Sequence, residues 1–375
     1  MAEYLTNTND LTLVADAIRT KGGTTELLAY PDEFVIAIQA IQTGTELKII
    51  ATVASGATVT ATKGSMSVSG TSVNGKCTLT VPEAGEWTVS ATLGGQTSNS
   101  NIVNVVSSYD TSLAFISTTL NDNSWEAIRG ISDAGQGANY WSIGDRKKVT
   151  LNGKVGHLTL SNYTTYAFII GFNHNASVEG TNRIHFQLTK TALTGGKDVC
   201  FCDSYYDSIV SQTGYFVMNS SRTNSGGWAS SQMRTKICGT SLSSYSGTII
   251  AVIPESLRAV LKSVTKYTNN TGNSSAASSV TATTDYFFLL SEFEVFGSIK
   301  YANSNESSKQ AQYAYYSAGN SKIKYRHNRT STAAYWWPRS PYVSDSLAFV
   351  RVYTDGSVST NIATSSIGFA PGFCV

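Results

Sequence analysis

The stretch Tyr335–Asp345, YWWPRSPYVSD, sets two tryptophans, an arginine and two prolines in a chain otherwise rich in Ser, Thr, Gly and Asn. Adjacent indoles bring large apolar area, and a guanidinium brings a fork of donors that can tie a loop down. YWWPRSP therefore reads as a rigid frame. After Pro341 the residues turn small, polar and replaceable, and LAFVRVYTDGSVSTNIA (347–363) follows. Two alternating runs flank Thr354-Asp355-Gly356-Ser357, and Asp-Gly is a strong hairpin signal. Alternation directs Val350 and Val352 to the core and places Phe349, Arg351 and Tyr353 on the opposite face. Aromatic and guanidinium groups are over-represented in binding hot spots. The candidate contact surface is Tyr342, Ser344, Asp345, Ser346, Phe349, Arg351, Tyr353, Ser359 and Asn361.

Composition sets the wider frame. The chain has 375 residues, enough for two or three domains. Charged residues make up 14%, against roughly 25% in an average soluble domain. Ser, Thr, Asn and Gly replace them and favour turns and strands over helix interiors. Net charge is +2. The densest basic run, KIKYRHNR (322–329), alternates with Ile323 and Tyr325 and reads as a solvated strand face, so no nucleic-acid partner is inferred. The five cysteines, Cys77, Cys200, Cys202, Cys238 and Cys374, show no zinc spacing and are expected as buried free thiols. The opening residues lack the basic start and apolar run of a secretory signal, and no apolar run approaches a membrane span, so synthesis in the cytoplasm is expected.

Three domains are expected. Residues 1–44 read as a helical hairpin. One helix starts at Asn9 or Asp10, carries Leu11, Val14 and Ile18, and stops at Gly22-Gly23. The other runs from Pro31, with Phe34, Val35, Ile38 and Ile41 on one face. So short a hairpin cannot bury its stripe alone, and is expected to pack on copies of itself or on a partner. Residues 46–107 contain short Val- and Thr-rich strands with regular turn signals, the pattern of a small immunoglobulin-like β-sandwich, with Trp87 on a core strand. Residues 112–375 read as one large irregular domain. PESLRAVLKSVTKYT, from Pro254, and SWEAIRGISDAG are its expected helices, and YAFIIGFNH, RIHFQLTK, GTIIAVIP and TDYFFLLSEFEVFG its expected strands. The fold class is α+β, multidomain.

Chemistry finds little purchase. His174 and His185 could face a site with Glu179 or Asp203, but no metal-binding helical spacing is present, and structural histidines are expected. No G-x-S-x-G elbow and no phosphate-binding loop occurs. Glu292 and Glu294, in SEFEVFG, are the close carboxylate pair on an apolar strand, where i, i+2 spacing would place both on one face. Loops rich in Asp and Asn carry the oxygen donors a Ca²⁺ ion would use, without an EF-hand pattern and without nameable ligands. No other cofactor is expected.

Several blocks carry a resemblance: WEAIRGISDAGQGANYWSIGD (125–145), GFNHNASVEGTNRIHFQ (171–187), NSGGW (224–228), LRAVLKSVTKYT (257–268), DYFFLLSEFEVFG (285–297), YWWPRSP and GFAPGFCV. Over about 112–375 the chain resembles a domain of unassigned function from tail-associated proteins of phages and prophages of Gram-positive, often gut, bacteria. VADAIRTKGGTTELLAYPDEFVIAIQ resembles a segment at the start of phage tail and baseplate proteins. The R-S-P block followed by G-F-x-P is similar to the C-type-lectin-like fold of formylglycine-generating enzymes and of the variable proteins of diversity-generating retroelements. The cysteines match no reactive pair of the enzyme branch, and the calcium-type sugar motif of lectins is missing. The resemblance implies a non-enzymatic phage tail-fibre or tail-tip adhesin, located in the virion. Residues 1–44 would hold other tail proteins, 46–107 would act as spacer, and a C-type-lectin-like domain at 112–375 would bind a host-surface glycan or protein. A homotrimer follows from the fibre analogy. The alternatives are a glycan-degrading tail enzyme and a purely structural baseplate or decoration protein.

Overall fold

A computed structural model describes residues 8–22, 27, 46–206 and 216–375. The chain divides into two compact units, Met1–Phe115 and Ile116–Val375. The architecture is mixed α+β, mostly sheet with few helices and a helix near the N-terminus. Among the described residues no helix is long and apolar enough to cross a membrane.

In the first unit, helix α1 (Thr8–Gly22) ends where the glycine pair predicts. Ile18 is buried but Val14 is exposed, so the apolar stripe is only partly covered. The second expected helix, from Pro31, lies outside the described residues. The segment after Thr45 forms two sheets. One has the order β4 (Lys76–Thr80), β1 (Lys48–Thr52), β8 (Ser108–Ser112). The other runs β3 (Met66–Thr71), β2 (Thr58–Lys63), β5 (Gly85–Leu93), β6 (Gln96–Thr97), with β7 (Asn101–Val105) also on β5. Period-2 alternation sends Ile49, Ala51, Val59, Ala61, Trp87 and Val89 into one shared core.

The second unit is built around an antiparallel sheet ordered β15 (Phe287–Phe288), β20 (Gly372–Cys374), β11 (Ile184–Lys190), β10 (Leu158–Phe172), β9 (Arg146–Val155). All of β11 is buried, so both sheet faces are covered. Its apolar face, Ile184, Phe186 and Leu188, belongs to the core with helix α2 (Trp125–Asp133), whose Trp125 meets Phe186 edge to face at 5.6 Å. Ser124 caps that helix by accepting from the Ala127 amide. The other face of β11, His185, Gln187 and Thr189, is polar, and buried polar groups must find partners. Thr189 donates to Val199 O at 2.7 Å, and Tyr316 Oη donates to Gln187 Oε1 at 2.7 Å. The irregular half of the unit supplies these partners, and the candidate site lies there.

Four sequence expectations are corrected. GTIIAVIP is not strand: Ile249–Val252 forms one helical turn, with Ile249, Ile250 and Val252 buried. The long helix from Pro254 is one turn, Glu255–Arg258, followed by strand β13 (Val264–Asn269) paired with β14 (Val280–Asp285). Leu257, Val260, Leu261 and Val264 are all buried as the helical pattern requires, but the β-branched and aromatic residues beyond Ser263 have a strand partner and take it. SEFEVFG is not strand but helix α3 (Glu292–Phe296), opened by a capping box between Ser291 and Glu294. The basic run forms β16 (Lys324–Arg326) and the start of β17 (Arg329–Ala334), yet Lys324 is fully buried rather than solvated.

Candidate functional site

The R-S-P block is the keystone of a buried ionic frame. Its backbone runs alongside β18 (Ala348–Val352), with Trp336 N and O both bonded to Val352 and Val350 N donating to Ser340 O. Trp336 and Trp337 are fully buried, and their indole N–H groups donate to Lys322 O (2.9 Å) and Phe216 O (3.1 Å). Arg339 is fully buried too. Its Nη1 and Nη2 grip Glu294 at 2.5 and 2.9 Å, Nη1 also reaches Leu289 O, and Nε donates to Thr268 Oγ1. Ser340 Oγ donates to Glu306 Oε2 at 2.9 Å and accepts from Glu292 N at 3.1 Å.

Lys266, on β13, completes the frame. Its ammonium lies 2.6 Å from Glu179, 3.0 Å from Glu294 and 2.8 Å from Tyr313 Oη. Against burial, which pushes it up, Arg339 and Lys266 hold Glu294 well below the usual carboxylate range. Burial raises Glu179 to about 7 despite Lys266. Glu306 is likewise raised by burial to about 7, against donation from Asn269 N, Ser340 and Gln310. His174 stacks on Tyr313 at 3.7 Å between ring centroids, and His185 Nδ1 lies 3.2 Å from both Tyr313 Oη and Cys374 Sγ. Burial first, and then Lys266, pushes His174 down to about 3 and His185 well below its ordinary value, so both rings are neutral. Cys374 is raised by burial and is a thiol; all five cysteines are buried and free.

This arrangement decides what the titratable groups can do. His174, Glu179 and Glu294 offer ligand atoms within 4.8 Å of one another. The Lys266 ammonium already bonds both carboxylates and Arg339 adds a second charge, so the anions are compensated without a metal. Glu292 and Glu294 do not share a face, because on a helix residues i and i+2 stand roughly 200° apart. Glu292 instead accepts from the amides of Lys300, Tyr301 and Ala302 at 2.6–3.2 Å. Both carboxylates are fully buried, occupied by protein partners and closed to a glycan.

The candidate contact residues fall into separate places. Tyr342–Ala348 forms a loop whose backbone is pinned from beneath by one buried side chain, Asn224. Its Nδ2 meets the carbonyls of Tyr342, Asp345 and Ala348, each at 2.9 Å, and its own amide donates to Ser346 O at 2.7 Å. Gly272 lets Asn224 sit this deep: at its φ of +103° a Cβ would come within 2.3 Å of Asn224 O. Trp228 anchors the same segment by donating to Asp285 Oδ2 at 3.0 Å. Above the pinned backbone, Ser344 and Ser346 are exposed, Tyr342 and Asp345 half-buried, and Tyr342 packs edge to face on Tyr301 at 5.3 Å.

Arg351 and Tyr353 lie toward the other end of β18, about 17 Å from Ala348 to Tyr353 at the rise of a strand. The Arg351 guanidinium covers the rings of Tyr335 (4.6 Å) and Tyr353 (5.1 Å). The hairpin closes at the expected turn, with Tyr353 N donating to Ser357 O at 2.7 Å, and β19 (Val358–Ile362) returns with Ser359 opposite Arg351 and Asn361 opposite Phe349, both half-buried. Phe349 is corrected. It is fully buried, because the unit covers both faces of β18, and it cannot contact a ligand. Two neighbours were not legible: exposed Leu347, adjoining the loop's serines, and Tyr301, which only the tertiary fold brings there. Asn224 carries no sequence signal beyond lying in the NSGGW block.

Residues 207–375 match a family described as "Domain of unknown function (DUF6273)". The matched span contains Asn224, Lys266, Arg339 and the loop, whereas Glu179, His174 and His185 precede it. Comparison with curated proteins finds no match.

Proposed function

We propose that this protein is a phage tail-fibre or tail-tip adhesin that attaches the virion to the bacterial surface through the 342–348 loop. The observation that carries the reading is the pinned loop. Its backbone is held by Asn224, by Val343 N donating to Tyr301 O and by Asp345 Oδ1 accepting from Leu347 N, while the side chains of Ser344 and Ser346 stand exposed. Such a loop can change its side chains without losing its shape, as a ligand face on a rigid scaffold requires. The R-S-P and G-F-x-P blocks on either side of the hairpin support placing the second unit in the C-type-lectin-like class. The two-sheet core around Trp87 supports an immunoglobulin-like spacer. Residues 1–44 would join the homotrimer to other tail proteins, with avidity from several copies per particle. A contact surface of tyrosine and serine suits a glycan or protein receptor.

The test is binding of the labelled, multimerised full chain to Gram-positive host cells. The Y342A/S344A/S346A variant is expected to lose attachment while keeping the melting temperature. Attachment equal to that of the parent chain would overturn the assignment of the loop. No binding by the multimer to any host panel would favour a role within the virion.

A further inference from the structure

A second feature lies apart from the loop. The end of α2, the turn at 181–183 and the segment 261–263 bound a cleft of about 440 Å³. Arg129, Arg183 and Lys262 line it against one carboxylate, Asp133, three positive charges facing one negative. Asp133 is fully engaged, with Oδ2 2.8 Å from Arg129 Nε and Oδ1 2.5 Å from Lys262 Nζ.

The other donors anchor on backbone. Arg129 Nη1 reaches Val260 O at 2.9 Å, Arg183 Nη1 and Nη2 reach Thr181 O and Ser263 O at 2.8 and 3.1 Å, and Lys262 Nζ reaches Asn182 O. Carbonyls fix the position of these cations and leave their net charge uncompensated. Arg183 is seated on the bare backbone of Gly180, where a Cβ would come within 2.3 Å of Nη1. Its Nε is buried, and no protein group accepts from it. Tyr286 adds an aromatic ring to the wall.

We propose that this cleft binds an oxyanion carried on a polyhydroxylated chain: the carboxylate of an acidic sugar or the phosphodiester of a polyol-phosphate polymer. Arg183 supplies charge-assisted hydrogen bonds, Lys262, whose three donors already meet Asp133, Asn182 O and Ser132 Oγ, adds positive charge beside it, and Tyr286 packs the adjoining carbon skeleton. The cleft shares no residue with the 342–348 loop and does not rest on the function proposed for that loop.

The experiment is calorimetric titration of the full chain with short poly(glycerol phosphate), with oligogalacturonate and with neutral dextran of similar length. At least one anionic polymer is expected to bind, and to bind more weakly as salt is raised, while dextran does not. The two anionic arms distinguish phosphate from carboxylate. Arg183→Gln and Lys262→Gln are each expected to weaken binding by about tenfold, and Y342A/S344A/S346A to leave it unchanged. Should Arg183→Gln lower the melting temperature, Lys262→Gln carries the test. Failure of both anionic polymers to bind, dextran binding as well as they do, or unchanged affinity in a folded Lys262→Gln variant would each refute the proposal.

Discussion

Replacing Asn224 by alanine removes a side chain that reaches no ligand, and should nevertheless loosen the proposed contact loop. Two Nδ2 protons serve three carbonyls, those of Tyr342, Asp345 and Ala348, each 2.9 Å away. Each proton is one net hydrogen bond of about 1 kcal/mol, so the loss is about 2 kcal/mol. The main-chain bond from Asn224 N to Ser346 O survives the substitution, so the loop keeps one tether. The cost falls on local opening, which becomes about 30 times more populated. Hydrogen exchange reads this directly. The amides of Tyr342, Val343 and Ala348, bonded to Ala348 O, Tyr301 O and Asp345 O, should exchange about 30-fold faster. Amides of β11, such as Leu188 bonded to Pro371 O, should change much less. Equal acceleration in β11 and the loop would mean that Asn224 supports the whole unit, and no acceleration would mean that the loop is held otherwise. Either result refutes the clamp.

Three further outcomes concern the frame and the β18 hairpin with its loop. Arg339→Lys keeps the charge but loses the fork on Glu294 and the bond to Thr268, and should lower stability by about 3–5 kcal/mol in denaturant unfolding; a loss below about 1 kcal/mol would show that the pair is dispensable. Burial raises Glu306 from 4.5 to about 7, so the folded chain keeps a proton that the unfolded chain releases in this window, and stability from this group falls as pH rises from 4.5 to 7. Glu306→Gln should remove about 3 kcal/mol of that decline, seen by comparing unfolding at about pH 5 and about pH 7.5; an unchanged profile would place the Glu306 pKa near its ordinary value. Phe349→Ala should cost about 3–5 kcal/mol and Ser344→Ala less than about 0.5 kcal/mol, by the same measurement; similar costs would contradict their opposite placement.

Local patterns determined what local physics controls. The turn at Thr354–Ser357, the helix after Ser124, the alternating strands around Trp87 and the buried frame of Trp336, Trp337 and Arg339 were all legible, because hairpin, cap and alternation depend on residues a few positions apart. The S-x-x-E capping box of α3 was equally local, but lay inside an apolar run that also suits a strand. Tertiary structure decided the rest. Whether residues 264–269 continue a helix or pair with β14 depends on a partner strand that no helical periodicity encodes. Phe349 alternates with valines as an exposed residue would, and is buried because a second layer covers that face. Glu179, Lys266, Glu294 and Arg339 come from four distant segments, and only burial together makes their charges necessary to one another. Asn224 is one asparagine among many until the fold brings three carbonyls within reach of its amide.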